Sequence, residues 1–395
     1  MTNAVCVDVG STYTKACLVS LADGELIDRS EVPTTSDGDV LTGLDAAVSS
    51  LPGDGELYVC SSAGGGLRLA VIGYEELVTA EAGHRAGLSA GAQVVHVAAG
   101  LLDGRAIAAL RAARPDVILL AGGTDGGDGE VLLHNARRLG TARVRLPVVV
   151  AGNAEVRDDA VAALTGRGVP VTAAGNVLPR IGVLDPGPAR VAIREVFLRH
   201  VIGGKRLSRG RRFASLVRAA TPDAVLAGVE LLADTEGTGV LVLDVGGATT
   251  DVYSALVPDE SLHADVAGNQ WRSRTVEGDL GVAVSAASTA AAAAAARLAP
   301  PSTPAELAAA AAVLALRRHA RGRDLGSVTR VVGSGGVLRH GSGEYVLDAV
   351  LGDTAGGWAP PRSARRIVDS RYVLAAAGLL AADHPAAAAG LLRSL

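Results

Sequence analysis

Neither sign of charge is in large excess in this sequence. It has 37 Lys and Arg against 41 Asp and Glu, a formal net charge of -4 at pH 7, and 20% charged residues. A protein that binds a polyanion needs a concentrated positive surface, so this balance argues against nucleic acid or an acidic membrane as partner. Hydrophobic residues make up 49% of the 395 positions. That content is ample for the cores of the two or three domains that the length predicts.

Cysteine is scarce. The only three are Cys6, Cys17 and Cys60, an odd number with no metal-ligand spacing, which is typical of a reducing compartment. The first residues carry no basic segment or cleavage pattern of a secretion signal. The longest apolar stretch, the alanine tract at 290–296, is too short to span a bilayer and predicts a helix. We therefore expect a cytoplasmic protein without a membrane segment.

Lysine is the rarest cation, with Lys15 and Lys205 as its only two occurrences. Lys15 ends the segment DVGSTYTK at 8–15, and DVGGATTD at 244–251 repeats the pattern. Each segment begins at the end of an apolar run, so the chain is predicted to contain one strand-turn-strand unit twice. Two such units facing each other would form two lobes with a site in the cleft between them. The alternative is a chance similarity between two glycine turns.

The residue types in these turns suit a nucleoside triphosphate and its cation. Glycines allow close backbone approach, hydroxyls and N–H groups can point at phosphate oxygens, and Lys15 can neutralise the β or γ phosphate. Asp8 and Asp244 at the two strand ends can converge on hydrated magnesium or an attacking water, with Asp251 as a third catalytic candidate. An Asp before a Gly can also simply stabilise its own turn. The predicted phosphate contacts are Gly10, Ser11, Thr12, Lys15, Gly246, Gly247, Thr249 and Thr250.

A third glycine segment, GSGG at 333–336, follows a predicted strand at 329–332. Coming after both turns, it can pass close to a purine or ribose where side chains would collide, although a GSGG sequence can also be a plain loop.

The middle of the chain alternates short apolar runs with amphipathic helical stretches. Predicted strands at 94–98, 117–121, 148–151 and 169–173 alternate with predicted helices at 105–114, 130–139 and 155–165, which indicates a parallel sheet. We expect an inserted α/β domain at 61–235, between a first lobe beginning at 1–60 and a second at 236–395. The loop GGTDGGDG at 122–129, with Thr124 and Asp125, follows a strand at the edge where such sheets bind ligands. It is either a partner or ligand loop or a flexible acidic turn.

These turns and the GSGG segment resemble the phosphate-one, phosphate-two and adenosine segments of the superfamily of actin, sugar kinases and heat-shock chaperones. Within it, the chain resembles the MutL/GlmL family, encoded beside glutamate mutase and related adenosylcobalamin-dependent mutases. The motifs that carry the resemblance are CSSAGGGLRLAVIG from Cys60, LLAGGTDGGDGEVLLHNA from Leu119, VVVAGN from Val148, NVLPRIGVLDPGPAR from Asn176, TVEGDLG from Thr275 and GRDLGSVTRVVGSGGVL from Gly322.

The resemblance implies an actin-like, ribonuclease-H-like fold and an ATPase that uses ATP and Mg²⁺. It also implies a reactivating chaperone, which opens a stalled mutase and releases its damaged cobalamin. No DxHxxG segment occurs in the sequence, so cobalamin is expected to belong to the partner mutase. The resemblance adds as nucleotide contacts Thr14, Glu277, Gly278, Asp279, Gly333, Ser334, Gly335 and Gly336, and it makes Asp8 and Asp244 the carboxylates that hold magnesium through water.

Two other functions fit the same fold. A small-molecule kinase would consume ATP only when a phosphoryl acceptor is present. A filament or scaffold protein would assemble in response to nucleotide.

We expect Lys15→Arg to weaken the binding of ATP by about tenfold and the binding of AMP much less. A planar guanidinium does not replace a compact ammonium beside the β and γ phosphates. Calorimetric titration of both nucleotides measures the difference, with Lys205→Arg as the matched control. Equal losses for ATP and AMP would place Lys15 away from those phosphates.

Overall fold

The computed structural model describes residues 2–10, 12–35, 38–63, 67–89, 92–197, 199, 207–208, 212–257, 271–321, 323–355 and 362–395. Ser11 of the first turn and the glycines 64–66 lie outside these residues. None of the helices in the described ranges combines the length and the apolarity needed to cross a membrane.

The chain opens with an antiparallel meander whose central strand is buried on both faces. The meander consists of β1 (Asn3–Val9), β2 (Tyr13–Ser20) and β3 (Leu26–Pro33). It is followed by α1 (Val40–Ser49) and β4 (Glu56–Ser61). The Val, Ala and Cys residues of β1 and β2 fit a sheet covered on both sides. β1 pairs antiparallel with β2 and parallel with β4, and α1 begins where the Asp39 side chain accepts the Leu41 N–H.

The inserted domain is a wholly parallel five-stranded sheet of order β6-β5-β7-β8-β9. The predicted strand and helix alternation is confirmed, and strand β5 is an addition to it. The elements are β5 (Arg68–Gly73), a helical turn (Glu76–Ala80), α2 (Glu81–Ser89), β6 (Gln93–Ala99), α3 (Gly104–Ala112), β7 (Val117–Leu120), α4 (Glu130–Thr141), β8 (Val148–Val150), α5 (Arg157–Thr165), β9 (Val171–Ala173) and α6 (Gly187–Val196).

The chain then returns to the first sheet through α7 (Arg212–Leu216), β10 (Val217–Ala220) and α8 (Thr221–Glu236). β10 pairs parallel with β4, which gives the first sheet the order β10-β4-β1-β2-β3. The prediction that the inserted domain runs to residue 235 therefore needs correction, because 217–220 belong to the first lobe. A strand of four residues that runs directly into a helix leaves no separate pattern in the sequence.

The second lobe repeats the first. Its sheet has the order β13-β12-β11-β14-β15, so in both lobes the first strand lies between the second and the fourth. This duplication confirms the two-lobed, actin-like α/β fold with an inserted α/β domain. The elements are β11 (Gly239–Val245), β12 (Thr250–Ala255), β13 (Arg272–Glu277), α9 (Ala286–Ala295), α10 (Pro304–His319), β14 (Val328–Ser334), a helical turn (Leu338–Ser342), α11 (Gly343–Gly352), β15 (Arg365–Val368), α12 (Val373–Leu380) and α13 (Pro385–Leu392).

The two lobes meet through α8 and α12, the helices that follow the fifth strand of each sheet. The helices cross at Gly228 and Gly378. A Cβ added at Gly228 would lie 2.2 Å from the Leu374 carbonyl oxygen, and one at Gly378 would lie 1.8 Å from the Ala224 carbonyl oxygen. Both neighbours are backbone atoms, so only glycine permits this close approach.

We expect Gly378→Ala to lower the free energy of unfolding by about 3 kcal/mol, because the new methyl group has no space at the crossing. Urea denaturation measures the loss. Gly352→Ala is the matched control, since Gly352 also lies in a helix but nothing stands within 4 Å of its added Cβ. Equal stability of the two variants would mean that the helices separate at no cost.

Candidate functional site

A cavity of about 280 Å³ lies between the lobes where the paired turns face each other. Both lobes contribute to its walls, as the duplicated turns predict. The predicted residues that line it are Asp8, Gly10, Thr12, Lys15, Asp244, Gly246, Gly247, Ser334, Gly335 and Gly336.

The two turns have the same backbone geometry. The Gly10 N–H donates to the Tyr13 carbonyl at 3.0 Å, and the Gly246 N–H donates to the Thr249 carbonyl at 2.9 Å. The strands that leave each turn are in the same register, so Asp8 lies opposite Lys15 just as Asp244 lies opposite Asp251. Equivalent positions of the two lobes therefore carry a lysine in one and an aspartate in the other.

Asp8 is held in one orientation. Its Oδ1 accepts a hydrogen bond from Thr221 Oγ1 at 2.5 Å and a contact from Cys60 Sγ at 3.7 Å. Burial raises the pKa of Asp8, while the Lys15 charge and the Thr221 hydroxyl oppose the rise. Thr221 opens α8, so the helix at the lobe crossing also orients this carboxylate.

Asp244 faces the same cavity, and no hydrogen bond to its carboxylate is found in the described part of the chain. Burial raises its pKa to about 6, with a further contribution from the neighbouring Asp251 charge and an opposing one from Lys15. At neutral pH Asp244 is therefore an anion that can still accept a proton, which is the property of a general base.

Lys15 projects between these carboxylates. Its Nζ lies 3.7 Å from the centre of the Tyr372 ring, within cation-π distance. Burial alone would lower the pKa of Lys15, but the charges of Asp8 and other nearby acidic groups raise it overall. The ammonium group is thus fully charged at neutral pH and is held over an aromatic ring of the opposite lobe.

Asp251, the third predicted catalytic carboxylate, is occupied by other side chains. Arg274 Nε donates to Asp251 Oδ1 at 2.8 Å, and Thr249 Oγ1 donates to Oδ2 at 3.3 Å. The two charged side chains are 4% and 14% exposed, and neither lines the cavity described above. The structure therefore places Asp251 behind the site, where its charge acts on Asp244.

The threonine shared by both turns also points away from the cavity. Thr14 Oγ1 is buried against Thr34 Oγ1 at 2.9 Å, and Thr250 Oγ1 donates to the Leu280 carbonyl at 3.0 Å. In each lobe this residue ties the turn to the next segment of the chain. The match between the two turns at this position is structural.

The predicted nucleotide contacts Glu277, Gly278 and Asp279 also lie outside the cavity. Arg318 of α10 binds both oxygens of Asp279, at 2.6 and 2.8 Å, and Glu277 at 2.6 Å. Neither these carboxylates nor Gly278 appear in the cavity wall.

In the predicted adenosine segment at 333–336, Ser334, Gly335 and Gly336 line the cavity, whereas Gly333 does not. Gly333 is buried, and a Cβ there would lie 2.6 Å from Leu338. Gly335 has a φ of +102°, and its added Cβ would lie 2.2 Å from the Val245 carbonyl oxygen. Only glycine fits there.

The cavity wall also contains the polar residues Thr221, Asp369 and Tyr372, which the sequence patterns missed, together with Tyr13 and Ser62. Thr221 and Asp369 each come directly after the fifth strand of their sheet. Asp369 accepts the N–H groups of Val373 and Leu374 at 3.1 and 3.3 Å and so caps α12. Thr221 and Asp369 thus occupy equivalent positions of the two lobes. The internal repeat could have predicted both of them if the fifth strands had been recognised in the sequence.

The donor set fits a hydrated divalent cation that is held mostly by its nucleotide. No cluster of three or more His, Cys, Asp or Glu suited to a metal occurs within the described ranges. Asp8 and Asp244 nevertheless face one cavity, and the charge of each raises the pKa of the Lys15 ammonium group. Mg²⁺ commonly keeps several waters and takes one or two carboxylates besides phosphates.

The loop at 122–129 is a defined structure of the inserted domain. Asp125 Oδ1 accepts from Asn176 Nδ2 and from the Ala154 N–H, both at 2.9 Å, and Asn153 Nδ2 donates to the Gly127 carbonyl at 2.9 Å. Asp125 therefore maintains the shape of the loop, while Thr124 is partly exposed beside it.

The duplicated sheets and the cavity between them define a two-lobed protein of the actin-like class. The family model described as MutL protein matches residues 4–319 and 302–395. "Protein MutL" of Clostridium tetanomorphum is 33% identical over an alignment 451 positions long, which covers 98% of this chain and 97% of that protein. The chain belongs to the MutL protein family.

Solved structures with a similar arrangement include two enzymes and one utilisation protein. Xylulose kinase from Bifidobacterium adolescentis has a TM-score of 0.36 at 12% identity, over 100% of this chain and 93% of that chain. ATP-dependent caprolactamase from Pseudomonas jessenii has a TM-score of 0.37 at 13% identity, over 88% and 67%. Ethanolamine utilization protein EutJ from Carboxydothermus hydrogenoformans has a TM-score of 0.28 at 10% identity, over 98% and 89%.

The Asp244 environment predicts a pH dependence for any reaction that needs its carboxylate as an anion. The raised pKa of about 6 means that Asp244 becomes protonated as the pH falls through 6. We therefore expect kcat/KM for ATP hydrolysis to fall tenfold per pH unit below about pH 6. A pH series under saturating magnesium measures it. The control is Asp45→Asn, at an exposed ion pair with Arg212, which should show the same fall in kcat/KM at low pH. If Asp244→Asn also shows this fall unchanged, the titrating group is not Asp244.

Proposed function

We propose that the cleft binds ATP with Mg²⁺ and hydrolyses it. The observation that carries this proposal is the convergence of Asp8, Lys15 and Asp244, from two matched turns on opposite lobes, on one cavity. A triphosphate needs a cation beside its β and γ oxygens, backbone N–H groups from glycine turns and carboxylates for its hydrated metal. All three are present within this one space.

The side chains divide the work between them. Lys15 would neutralise charge on the terminal phosphates, and Asp8, oriented by Thr221, would help to hold the hydrated Mg²⁺ ion. Asp244, whose carboxylate has no competing hydrogen bond in the described residues, takes the proton of the attacking water. Bound Mg²⁺ would offset the negative charge that develops on the phosphate oxygens. Asp251 keeps its ion pair with Arg274 and so stays outside the chemistry.

We further propose that ATP turnover in this chain reactivates an adenosylcobalamin-dependent mutase by releasing its damaged cobalamin. Family membership supports this proposal, since the MutL/GlmL motifs cover most of the chain. The inserted domain, with Thr124 beside its ordered loop, is the proposed contact for the mutase. Such a chaperone must bind its partner differently in the ATP and ADP states, because a ligand shifts an equilibrium only through differential binding.

A chain of partly buried ion pairs supports communication between the cleft and the inserted domain. Helix α6 packs on the inserted sheet and pairs twice with α8, through Arg190 and Glu230 at 2.7 Å and through Arg194 and Asp223 at 3.1 Å. The next charge that acts on Asp223 is that of Arg274. We therefore expect a shift of α6 to change the electrostatic environment of Arg274 in the second lobe.

Arg274 continues the chain to the active cleft. It is 4% exposed and binds Asp251, and the Asp251 charge is one of the causes of the raised pKa of Asp244. The charges alternate in sign along Arg194, Asp223, Arg274 and Asp251. Asp251 and Asp244 are both negative, so the last step to the proposed general base is a repulsion that a displacement of Arg274 would alter.

Titration of both nucleotide forms against a purified adenosylcobalamin-dependent glutamate mutase tests the proposal. We expect the ATP and ADP forms to differ in mutase affinity by at least about tenfold, a coupling free energy within the usual range. In Arg190→Gln combined with Arg194→Gln this difference should shrink while basal hydrolysis continues, because the link from α6 to α8 is lost. The same double variant should also release less cobalamin from mutase whose cofactor has lost its adenosyl group. Absorbance of the filtrate measures this release.

Arg105→Gln is the matched control, since Arg105 is an exposed arginine of α3 in the same domain. It should behave as the unchanged protein in both assays. Equal mutase affinity in the ATP and ADP forms would contradict the chaperone mechanism. ATP loss that depends on an added small-molecule acceptor would favour a kinase in its place.

A further inference from the structure

A second cavity adjoins the nucleotide cleft on the far side of Tyr372. It has a volume of about 210 Å³ and opens into a wider groove of about 540 Å³ between β3 of the first lobe and the segments at 339–340 and 370–371 of the second. Lys15, Cys17 and Tyr372 line both this cavity and the nucleotide cleft. We call the cavity and groove together the arginine groove.

Three arginines from three separate segments of the chain converge on the arginine groove. Arg29, Arg339 and Arg371 line both of its parts, and the Lys15 ammonium reaches its inner end. Among the described residues of its walls, Asp28 and Glu31 are the acidic ones. The wall is thus positive by two charges at neutral pH, in a protein whose net charge is -4.

The partners of these arginines leave part of this charge uncompensated. Arg339 pairs with Glu31 at 3.0 Å, and Arg29 Nη1 donates to the Ser370 carbonyl at 3.0 Å. For the exposed Arg371 side chain, the described residues supply neither an ion pair nor a hydrogen bond. An anion in the groove would therefore gain charge-assisted hydrogen bonds without displacing an existing partner of Arg371.

We propose that the arginine groove is a phosphate-binding site distinct from the nucleotide cleft. Guanidinium groups present paired N–H donors that match the oxygens of phosphate, and a space of about 210 Å³ accommodates one phosphate dianion with water. A carboxylate would use fewer of these donors. The site takes inorganic phosphate, which reaches it from solution or, given the hydrolysis proposed above, as the product of the neighbouring cleft.

Tyr372 forms the wall between the two spaces. Two cations lie close to its ring, with Lys15 Nζ at 3.7 Å from the ring centre and the Arg339 guanidinium carbon at 4.9 Å. Its backbone has a φ of 57°, a conformation that costs a bulky residue energy and that persists only where the surroundings impose it. An anion bound to Arg339 would weaken one of the two cation-π contacts, so occupancy of the groove is coupled to the position of the Lys15 ammonium.

Calorimetric titration of inorganic phosphate at constant ionic strength, into protein saturated with a non-hydrolysable ATP analogue, tests the site itself. The analogue fills the cleft including its γ-phosphate position, so further phosphate binding reports the groove. We expect one phosphate to bind per chain and Arg371→Gln to weaken it about tenfold, as the loss of a charge-assisted contact predicts. Arg137→Gln, at an exposed arginine of α4, should not change it. Absence of binding, or equal affinity in Arg371→Gln and Arg137→Gln, overturns the proposal.

A single-turnover experiment separates the two sources of phosphate. Quenched samples report ATP cleavage, and a fluorescent phosphate-binding protein reports free phosphate. A lag of free phosphate behind cleavage that Arg371→Gln removes identifies the hydrolysis product as the ligand. Simultaneous appearance, together with tight binding in the titration, identifies phosphate from solution. The titration requires no hydrolysis, so it decides the site even if the protein proves not to cleave ATP.

Discussion

The close crossing of α8 and α12 is the constraint on which the rest of the structure depends. The helices approach so closely because Gly228 and Gly378 each face a backbone carbonyl of the other helix. Each helix follows the fifth strand of its own sheet, so the crossing fixes the distance between the two lobes. It also places the first residues of both helices beside the cavity, where Thr221 orients Asp8 and the start of α12 brings Tyr372 to Lys15. A single steric contact thereby sets the geometry of the candidate site.

Duplication of the fold has not produced duplicated chemistry. The same register position carries Lys15 in the first lobe and Asp251 in the second. Lys15 is free to face phosphate because its partners are an aromatic ring and the cleft carboxylates, whereas Asp251 is bound by Arg274 from the adjacent strand. One lobe therefore supplies the cation and the other the proposed general base, and both lobes contribute to the candidate site.

The sequence predicts the parts of the site that lie within one turn and its flanking strands. Asp8 and Asp244 follow short apolar runs and precede glycines, and this local pattern is sufficient to predict their place at strand ends. The pairing of Asp251 with Arg274 is not predictable in this way, because it depends on which strand lies beside β12. Thr221 reaches Asp8 across more than two hundred positions of sequence, through the short strand β10 that no periodicity distinguishes from the helix after it. Local patterns thus predict the turns, and only tertiary packing shows which side chains face the cavity.

Amide hydrogen exchange of the whole chain, with and without magnesium-ATP, tests most directly the claim that both lobes build one nucleotide site. The account predicts that the segments at 8–15, 244–251 and 333–336 gain protection together at the same ATP concentration, since one ligand contacts all three. Protection confined to one of the turns, or found only in the inserted-domain loop at 122–129, would contradict it.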